Sequence, residues 1–168
     1  MENAETRSNT GFRSNVGAVG VGVIVLALAT AVIHLYDFVA HGFLGTGEML
    51  PLFQFLFVGN FLAYVILLGV LYSPVSSLAS LRPFARAFLI AISVAAIASY
   101  FRVEVYGLLG NVDKVIEVLL IAVVTADAAL SGDGFAGGGM RGALAQLGIG
   151  IALGVGMFLF LSLFIGNN

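Results

Sequence analysis

Both histidines of the chain fall in one short stretch, Ile33-His34-Leu35-Tyr36-Asp37-Phe38-Val39-Ala40-His41-Gly42, where a long apolar segment ends. On a helix, His34, Asp37 and His41 follow i, i+3, i+7 spacing and share one face. A carboxylate between two imidazoles can orient either ring and favours its protonated form. The trio also offers donors to a metal ion, but geometry limits what it can hold. His34 and His41 lie roughly 10 Å apart along one helix axis, so they cannot ligate one ion together or serve as the two axial ligands of one haem. Asp37 with either histidine could ligate, with Glu104 or Glu117 completing the shell. The expectation is therefore an interfacial hydrogen-bond network without metal or cofactor. The absence of cysteine removes thiolate metal sites, iron–sulfur clusters and cysteine nucleophiles. No Ser, His and Asp set has the spacing of a nucleophile with its base, and an enzyme is not expected.

These residues sit on a chain built for lipid. Of its 168 residues 60% are hydrophobic and 10% charged, with a mean hydropathy of +1.09; soluble domains carry about 25% charged residues. Each crossing needs ~20 residues plus a connection, so this length makes one bundle rather than several domains. A formal charge of −2 leaves no basic face for phosphates, and a nucleic-acid partner is excluded.

Residues 1–15 are polar and read as a disordered tail, followed by a helical bundle over 16–166. The expected fold is all-α, with five transmembrane helices at about 16–36, 51–72, 87–101, 115–130 and 143–165. The alternative is four spans plus one interfacial helix, because Glu117 and Asp127 interrupt the fourth. A secretory leader is not expected, since the uncharged stretch 16–33 exceeds the ~7–15 residues of a leader's apolar region. Residues 42–48 read as a turn, 73–86 as a loop and the glycine-rich 131–142 as a flexible linker. In the second span Gln54 and Asn60 are the strongly polar side chains, and with Asp127 they form the intramembrane polar set. Ala87, Ala91 and Ala95 recur every four residues, as do Gly150 and Gly154; both series are expected to let a neighbouring helix approach closely.

Counting Lys and Arg on alternate sides of five spans puts Arg7, Arg13, Arg82, Arg86 and Arg141 on one side and Arg102 and Lys114 on the other. A cell-membrane protein with its amino terminus cytoplasmic and its carboxyl terminus external follows. His34, Asp37, His41, Glu48, Arg102, Glu104, Asp113, Lys114 and Glu117 then gather near the outer face. Asp37 is expected to pair with Arg102, and Glu117 with Lys114 or His34.

Val32-Ile33-His34-Leu35-Tyr36, Pro51-Leu52 and Val112-Asp113-Lys114-Val115 with Glu117-Val118-Leu119-Leu120-Ile121 resemble a family of small multi-helix membrane proteins of halophilic archaea that has no assigned activity. The resemblance covers roughly residues 16–130 and implies four spans, so the glycine linker and the last span depart from it. On function the leading expectation is a structural or accessory subunit packing within itself or a larger membrane complex, with the bilayer and a homo-oligomeric or membrane-protein partner around it. The alternatives are a small-solute or ion transporter whose mouth is the outer cluster, and a metal- or haem-binding membrane protein.

Overall fold

The computed structural model describes residues 16–44, 49, 51–103, 107–132, 134, 135 and 137–165. They form five α-helices: α1 (Ala18–Asp37), α2 (Pro51–Tyr72), α3 (Arg82–Val103), α4 (Leu108–Ser131) and α5 (Gly139–Ile165). A π-helical turn, Phe38–Phe43, prolongs α1, and a 3-10 segment, Ser76–Leu81, leads into α3. Four stretches are long and apolar enough to cross a membrane: Ala18–Phe43, Pro51–Tyr72, Ser76–Val103 and Gly139–Phe164.

Helices α1 to α4 close a ring in which α1 packs on α2 and α4, and α3 packs on α2 and α4. Helix α5 lies outside the ring against α3 and α4. Inside, Val23, Ala27 and Ala31 of α1 meet Tyr64, Leu68 and Leu71 of α2, Leu89 of α3, and Leu120 and Val124 of α4. Outside, Phe55, Leu62, Ile66, Val118, Leu119, Phe160 and Leu163 are exposed. An apolar exterior is what a bundle presents to lipid, which cannot satisfy polar groups.

The charged fourth helix runs with the others instead of lying across the end of the bundle. Its contacts with α3 extend from Arg86–Asp127 to Tyr100–Asn111, about 24 Å along α4. Asp113, Glu117, Leu120, Val124 and Ala128 form its one buried stripe, so the acids point into the bundle on the same face as the core residues. That resolves the interruption of the fourth apolar segment: its charges are interior.

Several expected boundaries move. The third helix begins at Arg82 rather than residue 87, since Pro83 fits a first helical turn and Arg86 finds its partner on α4. The fourth begins at Leu108 rather than 115, and the last at Gly139 rather than 143. Within the expected linker, the Gly137 N–H donates to the Gly134 carbonyl at 3.2 Å. Gly132 ends α4 at φ +74°, a left-handed conformation natural to glycine, and a side chain on Gly134 would meet the Gly137 carbonyl at 2.6 Å.

The two small-residue series meet each other. A Cβ on Gly150 would stand 2.8 Å from the Ala87 carbonyl and 2.6 Å from Ile90 Cβ, and one on Gly154 would stand 2.6 Å from the Ala91 carbonyl. Helices α3 and α5 therefore run parallel in close backbone contact. Ala95, four residues beyond Ala91, is buried as well.

Candidate functional site

The ring of α1 to α4 encloses a polar cluster. Asp113 and Glu117 are one turn apart on the buried stripe of α4, with 2% and 0% exposure. Lys114, on the edge of that stripe, turns its ammonium back to both, at 2.9 Å from Asp113 Oδ2 and 2.6 Å from Glu117 Oε2. The same ammonium lies 5.8 Å from the centre of the Tyr100 ring.

The other helices each contribute a group. Thr30 and His34 are also one turn apart, on the inner face of α1. Thr30 Oγ1 donates to Asp113 Oδ1 at 2.6 Å. Tyr64 of α2 donates its hydroxyl to Glu117 Oε1 at 3.3 Å and lies 3.1 Å from Ser93 Oγ of α3, while Ser93 donates to the Leu89 carbonyl. Both carboxylates are thus held by neutral hydroxyl donors as well as by the ammonium, which fixes their orientation.

His34 completes the cluster. Its residue is 4% exposed, and its ring stacks on Tyr64 at 6.1 Å and tilts against Phe57 at 5.6 Å. Nε2 lies 3.4 Å from Glu117 Oε1 and 3.8 Å from Asp113 Oδ2, yet neither ring nitrogen makes a hydrogen bond. Buried polar atoms are nearly always satisfied, so an imidazole aimed at two carboxylates without bonding them is an exception that calls for a cause. The His34 ring aside, two carboxylates and one ammonium sum to one negative charge inside the bundle.

The structure separates the expected outer rim into parts. His34, Asp113, Lys114 and Glu117 come together, and Glu117 contacts both Lys114 and His34. Asp37 does not pair with Arg102: it lies 3.4 Å from His41 Nδ1, and Arg102 is exposed at the end of α3. Nor do the three residues of the first helix share one face. The π turn breaks the α register after Asp37, leaving the His41 side chain 62% exposed while His34 is sealed inside. Asp37, half-buried between them, interacts electrostatically with both His34 and Asp113. Glu48 and Glu104 lie outside the described residues.

Of the intramembrane set, Gln54 donates to the Met49 carbonyl at 3.1 Å and Asn60 is half-buried. Asp127 accepts from Arg86 Nε at 2.8 Å near the opposite end of α4. Arg86, expected in a loop, is buried within α3.

Sequence reasoning overlooked Thr30, Tyr64 and Ser93. A signal existed for one of them, because Thr30 and His34 sit at i, i+4 as Asp113 and Glu117 do. Tyr64 and Ser93 were hidden in apolar spans whose rotation the sequence does not give. No family model, no curated protein and no solved structure matches the chain.

Proposed function

We propose that this chain is an integral membrane protein that binds and moves a small cation, with His34, Asp113, Lys114 and Glu117 as its site. The observation that carries the reading is the charge balance of a sealed cluster, in which two buried carboxylates answer to a single ammonium. Ionisable groups at bilayer depth are costly and mark ion paths, and one further positive charge would neutralise this one.

Helix direction supports an orientation. Arg82, Arg86 and Arg141 belong to one end of the bundle, Arg102 and Lys114 to the other. With the arginine-rich end cytoplasmic the amino terminus lies inside, and the Asp37–His41 pair stands on α1 and its π turn between the site and the external end of the bundle. The test is reconstitution into liposomes with entrapped indicators for H⁺, Na⁺, K⁺ and Mn²⁺. The expected result is a flux of one of these that Glu117→Gln abolishes; no flux of any would refute transport.

A second reading, an accessory subunit of a homo-oligomer or larger membrane assembly, draws on α5. Gly148, Ala152 and Gly156 form an exposed series on that helix, with nothing within 4 Å of a Cβ built on either glycine. Size determination in mild detergent tests it, and a monomer without co-purifying protein would refute it.

A further inference from the structure

We infer that the cation is a first-row divalent transition-metal ion, ligated by His34 Nε2, Asp113 and Glu117, and that Lys114 is the tethered cation it displaces. The inference rests on the cation-site reading above and names its substrate class.

Geometry comes first. One donor atom from each of the three residues lies within 4.8 Å of the others. The measured separations from Nε2, 3.4 Å to Glu117 Oε1 and 3.8 Å to Asp113 Oδ2, are close to the edge of about 3.4 Å in a tetrahedron with ~2.1 Å bonds. An ion between them would give the unbonded Nε2 the partner it lacks. The orienting shell is in place too: Thr30 holds the far oxygen of Asp113, and Tyr64 holds Glu117. Such outer donors are a regular feature of metal sites.

Donor chemistry and charge then select the ion. One imidazole with two carboxylates suits Zn²⁺, Mn²⁺, Fe²⁺ or Co²⁺, whereas Mg²⁺ and Ca²⁺ prefer oxygen alone. A divalent ion cancels the two carboxylates, so the ammonium must leave as the ion arrives. Lys114 has somewhere to go. It borders a 410 Å³ groove between α3 and α4, lined by Tyr100, Phe101, Asn111 and Val115 among others. The groove is almost wholly apolar, so it takes the flexible stem while the ammonium, still protonated, moves to the polar end at Tyr100 and Asn111. Metal and ammonium thus alternate on the same carboxylates, as a carrier that must release its cargo requires.

The test is Co²⁺ titration of the detergent-purified full chain, read by visible absorption and by dialysis. One Co²⁺ per chain is expected, with His34→Gln and Glu117→Gln each weakening binding at least tenfold. Lys114→Gln should tighten it about tenfold, because the resident competitor is gone. The wild-type titration needs no variant to fold, and Co²⁺ should also raise the melting temperature of the Lys114→Gln protein. Absent binding in wild type and Lys114→Gln alike overturns the inference, as does binding that ignores His34→Gln. If Co²⁺ fails while a flux of H⁺, Na⁺ or K⁺ is lost in Glu117→Gln, the transport reading stands and only the choice of ion falls.

Discussion

Removing Lys114 should damage the protein more than removing the acid it holds most closely, and the charge arrangement sets the size of the difference. Lys114→Met leaves Asp113 and Glu117 facing each other without their ammonium, both all but inaccessible to solvent. Breaking a buried pair on one side costs about 3–5 kcal/mol, because a buried charge is left uncompensated. Glu117→Gln keeps the ammonium on Asp113 at 2.9 Å and removes the excess negative charge. Its cost is that of a lost charged hydrogen bond, about 1.5–3 kcal/mol. The double variant retains one carboxylate, still bonded to Thr30, and should be less destabilised than the sum of the singles by about 2 kcal/mol. The assay is reversible unfolding in mixed detergent micelles followed by circular dichroism. It is run with chelator, which keeps the cluster free of metal. If Glu117→Gln costs as much as Lys114→Met and the cycle is additive within ~0.5 kcal/mol, the buried excess charge is refuted.

Leucine at Gly150 and Gly154 should push α5 off α3, since even a Cβ there comes within 2.6 Å of Ile90 or the Ala91 carbonyl; each overpacked site costs about 1–3 kcal/mol. The same change at Gly148 and Gly156 should leave monomer stability unaltered, so equal losses at both pairs in thermal unfolding would contradict the assigned interface. Asp127→Asn should destabilise by about 1.5–3 kcal/mol, because the buried Arg86 gives up a 2.8 Å charged hydrogen bond; a change under ~0.5 kcal/mol in the same unfolding assay would show the pair to be incidental. Reporters fused after Asn168 and within the 3-10 segment Ser76–Leu81 should report opposite sides of the membrane, and agreement between them would show that five crossings is wrong.

Hydropathy alone located the apolar spans, because burial in lipid is a property each segment expresses by itself. The four-residue spacing of Ala87, Ala91 and Ala95 and of Gly150 and Gly154 was equally local, as was the one-turn step from Lys114 to Glu117. What joins distant parts of the chain was not legible. Thr30 meets Asp113 across 83 positions, Tyr64 meets Glu117 across 53, and Arg86 meets Asp127 across 41. A helical period says which residues share a face, but not which way that face turns. That rotation is chosen when neighbouring helices pack, and it decided that Asp113 and Glu117 are interior rather than rim charges. The π turn after Asp37 shifted the phase again, dividing two histidines that an unbroken helix would have kept on one side. Sequence determined that this chain lives in a membrane as a helical bundle. Only the packing of α1 to α4 determined that an imidazole, two carboxylates and an ammonium share its interior, because that meeting depends on four rotations no single segment encodes.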